Sequence, residues 1–156
     1  MDVRLVIRVL QAFERERVAY KVFGGVAVNV HGIARATQAL DVFVAATEDN
    51  IARLRAALRS VWDDPSIDEI TFEDLAGDYP ALQYVPPSED FHIDVLTRLG
   101  EAYDFDAVEA VRRDLGDVTI TVASPRQLYE MKRGTVRHKD ALDAMSLRAR
   151  YDLEED

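Results

Sequence analysis

Val6, Val9, Leu10 and Phe13 recur at the i, i+3, i+4, i+7 spacing of an amphipathic helix, with Arg8, Gln11 and Glu14 elsewhere on its surface. The chain therefore opens with a helix that covers a core. Residues 20–23 read as a short strand stopped by Gly24-Gly25, and residues 26–31 as a short helix ended by Gly32. Residues 39–45 form an apolar, strand-like run. Thr47 followed by Glu48 and Asp49 is an N-cap signal for a helix whose apolar positions, Ile51, Leu54, Leu58 and Val61, face the sheet. Residues 62–79 are acidic and mixed in pattern, with a short helix expected over 68–75. Residues 82–85 and 91–96 flank Pro86-Pro87-Ser88-Glu89-Asp90 as a hairpin, and Val118, Ile120 and Val122 alternate with Thr119 and Thr121 as a strand. Ser124-Pro125-Arg126-Gln127 reads as a capping box with proline at the first helical position, starting a helix that runs to about Arg133. A last helix follows over about 138–151, and the acidic tail is expected to fray.

This order of elements predicts an α/β (α+β) domain spanning 1–156, with a core of about 18–123 and C-terminal helices of about 124–152. Its 156 residues, 48% apolar and 31% charged, suit one soluble domain. The absence of cysteine excludes disulfides, thiolate catalysis and Cys-based zinc sites, and fits the cytoplasm. No apolar run reaches the roughly 18 residues a membrane span requires, so no membrane partner is expected. The net charge of -10 disfavours a dedicated nucleic-acid binder with a broad basic face. That charge is uneven: residues 124–139 carry about +4 and the remainder about -14. A cationic patch on an acidic body suits a small polyanion or the end of a larger one.

Two carboxylates stand out, each alone inside an apolar strand: Asp41 in Leu40-Asp41-Val42-Phe43-Val44 and Asp94 in Phe91-His92-Ile93-Asp94-Val95-Leu96. Residues two apart share a strand face, so Asp41 points with Ala39 and Phe43, and Asp94 with His92. If the strands are neighbours, the two acids can converge on Mg²⁺ completed by substrate phosphate. The competing reading is a structural bridge from each acid to a cation such as Arg35 or Lys132. Gly24-Gly25 could admit a phosphate to the backbone and the following helix, or could be simple turn punctuation. Lys139 and Asp143, at i, i+4, read on spacing alone as an exposed salt bridge. No P-loop, no paired-histidine metal motif and no G-x-S-x-G occurs.

Gly24-Gly25-Val26-Ala27, His31-Gly32, Arg35-Ala36-Thr37, Leu40-Asp41-Val42 and Ile93-Asp94-Val95 together resemble the minimal nucleotidyltransferase (polymerase-β-like) family. Ser124-Pro125, Met131-Lys132 and Arg137-x-Lys139-Asp140-x-x-Asp143 resemble the closing segment of AbiEii-type and related bacterial nucleotidyltransferase-like proteins, many of them toxins of toxin-antitoxin pairs. The resemblance implies a polymerase-β-like palm, a small mixed sheet flanked by helices, that uses Mg²⁺ to move a nucleotide from an NTP to a macromolecule, an RNA 3′ end or a protein hydroxyl. It implies a cognate antitoxin as a further partner, or else an antitoxin-like enzyme that modifies a protein. Asp41 and Asp94 would be metal ligands and, with Lys132, catalytic. Gly24, Gly25, Arg35, Thr37, Lys132, Arg137, Lys139, Asp140 and Asp143 would bind the nucleotide. The departure is Ala39, where the family places the first Asp of its D-x-D pair. Losing one of three metal ligands should suppress transfer, leaving either a degenerate binder of nucleotide or partner, or an active parent silenced at one position.

Overall fold

The computed structural model describes residues 2–77, 80–133 and 138–151, with side chains described up to 132 and again from 145. Helix α1 (Val3–Arg15) starts at Asp2, whose side chain accepts from the Arg4 N–H, and buries Leu5, Val6, Val9, Leu10, Ala12 and Phe13. Strand β1 (Tyr20–Phe23) runs straight into α2 (Gly24–Val30), so the two glycines form the first turn of the helix and not a loop before it. Strand β2 (Ala39–Val44) is followed by α3 (Glu48–Val61), capped by Thr47 as expected. The acidic stretch holds a 3₁₀ turn (Pro65–Glu69) and α4 (Phe72–Ala76) in place of one helix over 68–75. Proline at the start of the 3₁₀ turn and Thr71, whose side chain caps α4, divide the segment in two.

Strands β3 (Ala81–Tyr84) and β4 (His92–Leu96) pair antiparallel as the expected hairpin. Two short strands, β5 (Arg98–Leu99) and β6 (Tyr103–Asp104), form a separate ribbon. Strand β7 (Ala110–Asp114), which the pattern did not predict, pairs antiparallel with β8 (Thr119–Ala123). Helices α5 (Pro125–Arg133) and α6 (His138–Tyr151) close the chain. The expected capping box is only half formed. Ser124 Oγ accepts from Gln127 N–H, but the Gln127 side chain accepts from Glu109 N–H at 2.9 Å and so ties α5 to the start of β7.

The main sheet has six strands in the order β3-β4-β2-β1-β8-β7, with parallel pairs β2/β4 and β1/β8 and antiparallel pairs elsewhere. Alternation divides its faces. Tyr20, Val22, Leu40, Val42 and Val44 turn to one side, where Phe13 of α1 packs against Tyr20 at a ring separation of 5.3 Å. On the opposite face lie Phe23, Phe43 and Asp41, with the Phe23 and Phe43 rings 4.5 Å apart. The closely packed β2/β4 pair sets Leu40 beside Ile93 and Val42 beside Val95, all four fully buried. Burial of these side chains, at about 1.5–3 kcal/mol each, specifies the register, because a one-residue slip would turn them out of the core. Among the described residues no helix is long and apolar enough to cross a membrane.

Candidate active site

The register that buries Leu40 and Val42 also sets Asp41 directly beside Asp94, and Ala39 beside His92. Four positions on the cavity side of the sheet are thereby brought together on adjacent strands, a pairing that no local signal specifies. Asp41 shares a hydrogen bond with Asp94. Burial, followed by that hydrogen bond and the Asp94 charge, pushes the Asp41 carboxyl up to about 7, against the opposing pull of Lys132 and Arg35. Asp41 therefore holds its proton more tightly than a free carboxyl does. His92 Nε2 stands 3.4 Å from Asp94 Oδ2, so the imidazole borders the same acid pair.

Gly24 opens α2 at φ +69°, a conformation that side chains other than glycine's rarely adopt. A Cβ there would run into the Asp41 carboxylate, with its Cγ only 2.9 Å away. At Gly25 a Cβ would meet the Arg35 guanidinium and Thr37, whose Oγ1 lies at 2.8 Å. The glycine pair thus lets the β1-α2 junction lie directly against Asp41 on one side and the Arg35-Thr37 segment on the other. Thr37 Oγ1 in turn donates to the Ala39 carbonyl at 3.1 Å, which anchors that segment at the start of β2.

These residues line one cavity of about 730 Å³, within the size range of small-molecule sites. Asp41, Asp94, Gly24, Gly25, Arg35, Thr37, Ala39 and Lys132 all border it. Lys132, on α5, is buried to 7% exposure, an unusual place for an ammonium unless acids lie within reach. The remainder of the wall is mostly apolar, including Leu82, Leu96, Leu128 and Met131, with Gln38, Gln83 and His92 as its polar members. Sequence reasoning noted His92 only as a face-mate of Asp94; its place beside Ala39 depends on the β2/β4 register. Gln83 and the apolar wall come from the hairpin and α5; Leu96 and Met131 stood in the sequence only as neighbours of Asp94 and Lys132, and none of these residues was a site candidate. Arg137 falls outside the described residues. Lys139, Asp140 and Asp143 lie on α6, where their side chains are outside the described set.

The donor set fits a hard divalent cation. Two adjacent carboxylates on the cavity wall supply oxygen ligands of the kind such an ion takes. Among the described residues no group of three His, Asp or Glu side chains is arranged to hold a metal.

No protein-family model matches the chain, and no curated protein matches it. Among solved structures it is similar to the lincosamide antibiotic adenylyltransferase LnuA in its lincomycin-bound crystal structure. The two share 16% sequence identity over 96% of this chain and 98% of that one, with a TM-score of 0.57. A likeness at that identity is one of backbone architecture, and it agrees with the mixed sheet and flanking helices: the chain has a nucleotidyltransferase-type, polymerase-β-like fold.

Proposed function

We propose that this protein is built for nucleotidyl transfer from an NTP to an acceptor hydroxyl. The observation that carries the reading is the in-register Asp41/Asp94 pair, facing a cavity bordered by the Gly24-Gly25 helix start and by Lys132 and Arg35. Asp41 and Asp94 would hold Mg²⁺, which when bound supplies charge neutralisation at the triphosphate. Gly24 and Gly25 leave the backbone bare where phosphate oxygens approach. Lys132 and Arg35 contribute the cations that stabilise charge as pyrophosphate departs. The acceptor oxygen bonds to the α-phosphorus, the bond to pyrophosphate breaks, and the hydroxyl proton passes to solvent. The resemblance to AbiEii-type proteins supports a toxin role with an RNA 3′ end or a protein hydroxyl as acceptor. The apolar wall and the fold likeness to an antibiotic adenylyltransferase favour also testing small hydroxylated molecules.

Ala39 supports a second reading, an inert module that binds nucleotide or a protein partner. It lies on the cavity wall next to His92, where a carboxylate would complete the ligand set. The Ala39→Asp substitution should raise Mg²⁺-dependent transfer by on the order of 10² or more, read with each labelled NTP and cell extract. A folded, NTP-binding Ala39→Asp protein that labels no RNA, protein or small molecule would reject the enzyme reading in favour of the inert one.

A further inference from the structure

At the other end of α2 from Gly24 lies a second cavity of about 410 Å³ that shares no lining residue with the first. It is formed where the His31-Gly32 turn meets Arg112 and Arg113 of β7 and Arg150 and Tyr151 of α6. His31-Gly32 is one of the sequence motifs that the acid-pair cavity does not use.

The cations in this cavity differ in how they are matched. Arg112 is engaged by Glu14, with Nη2 2.9 Å from Oε1, and also donates to Thr121. Arg113 Nη2 instead reaches two uncharged groups, His31 Nδ1 and Tyr151 Oη, each at 3.4 Å. His31 Nε2 donates to the Ala123 carbonyl at 2.8 Å, which leaves Nδ1 to accept from Arg113, and burial lowers the imidazole from its usual range against the pull of that carbonyl. Tyr151 Oη donates to the His31 carbonyl at 2.6 Å, which fixes its lone pairs for Arg113. The Arg150 guanidinium lies over the Tyr151 ring at 5.8 Å and against Gly32, where a Cβ would come within 2.7 Å of Cζ. Gly32, at φ +92°, is therefore needed both for the turn and for the approach of Arg150.

Among the described residues no carboxylate lies within ion-pair distance of Arg113 or Arg150. Asp114, the one acid among the described residues of the wall, accepts from Gly116 N–H at 2.8 Å. In a protein with 29 acidic and 19 basic residues, acids are abundant, and two guanidinium groups meeting in a concavity without one are best matched by an anion from outside. We propose that this second cavity binds a phosphate group, through the forks of Arg113 and Arg150 with the Tyr151 hydroxyl beside them. A phosphate offers oxygens to two forks at once, which a single carboxylate, with two oxygens in one plane, does less well. The phosphate could be free or could be the end of a nucleic acid.

The proposal is tested by titrating the full chain with inorganic phosphate at constant ionic strength while following the amide resonances of Gly32, Arg113 and Tyr151. Saturable shifts are expected, weakened at least tenfold in Arg113→Gln and in Arg150→Gln, and unchanged in Arg8→Gln on the exposed side of α1. Arg113→Lys, which keeps the charge and loses the fork, should also weaken binding. A short RNA with a 5′-phosphate, compared with its 5′-hydroxyl counterpart, separates the sources. Tighter binding of the phosphorylated RNA than of inorganic phosphate assigns a nucleic-acid end, and the reverse order assigns a free phosphate ligand. If neither probe gives saturable shifts at these amides, or if the folded Arg113→Gln and Arg150→Gln proteins keep full affinity for them, the proposal fails.

Discussion

Asp41 is the residue at which sequence, stability and chemistry meet. Burial and Asp94 push its carboxyl up to about 7 from the 3.8 of an unperturbed Asp, so the folded state holds its proton more tightly than the unfolded chain does. The resulting stabilisation is fully present below about pH 4, declines as pH rises from about 4 towards 7, and is gone above that window. Asp41→Asn should remove this slope and raise the stability of the cation-free protein at pH 8 by roughly 1–3 kcal/mol. Urea melts at pH 5 and pH 8 measure it; a variant as pH-sensitive as the parent would contradict the account. Gly24 is constrained from the other side of the same contact. Gly24→Ala combines an unfavourable positive φ with a Cβ driven into the Asp41 carboxylate, and should cost about 1–3 kcal/mol of stability and weaken NTP binding. Unchanged thermal melting and unchanged NTP affinity in that variant would show that the β1-α2 junction relaxes freely.

At the scale of elements, the polar anchors between segments are as informative as the apolar faces. Asn50 sits in the first turn of α3 and is nearly fully buried, yet its side chain satisfies three backbone groups. It accepts from Ala19 N–H at 2.6 Å and donates to the carbonyls of Ala19 and Ala45 at 3.0 and 2.9 Å. One residue thereby joins the entry to β1, the exit from β2 and the start of α3. Asn50→Ala would leave these groups without partners away from water and should cost about 2–4 kcal/mol, read as a lowered urea midpoint with an unchanged m-value. Lys21 acts similarly by donating to the carbonyls of Phe105 and Val108, which makes it a structural cation and not a bystander. Helices α1 and α3 were legible because their apolar spacing and caps are local signals. Strand β7 was not: its sequence Ala-Val-Arg-Arg-Asp lacks alternation, its last four residues are exposed, and it exists because its backbone pairs with β8.

For the molecule as a whole, charge placement separates the two cavities from the acidic surface around them. Lys132 is a buried cation beside an acid pair in a protein of net charge -10, so it acts locally and is poorly replaced by the rest of the surface. Lys132→Ala should lower NTP affinity about tenfold or more, whereas Arg53→Ala, on an exposed position of α3, should leave it unchanged. Calorimetry decides between them, and equal affinities would reduce Lys132 to a structural partner of Asp41. The same measurement on the acid-pair side is expected to respond to Mg²⁺, because bound cation replaces the proton that Asp41 otherwise retains.

Hydrophobic period, helix caps and glycine pairs act over a few residues, and from them the sequence by itself determined most helices, the Asp41 and Asp94 strands and the β3-β4 hairpin. The same local logic singled out two lone carboxylates, since an ionisable group in an apolar strand is visible without a partner. What the tertiary structure alone decided is pairing across long separations: Asp41 beside Asp94, Ala39 beside His92, Gly24 against the Asp41 carboxylate, and His31 with Arg113 and Tyr151. Those pairings follow from strand register and helix docking, which are set by the summed burial of side chains such as Leu40, Ile93, Val42 and Val95. The polar residues carry the chemistry, but the apolar residues on the reverse face choose which of them meet.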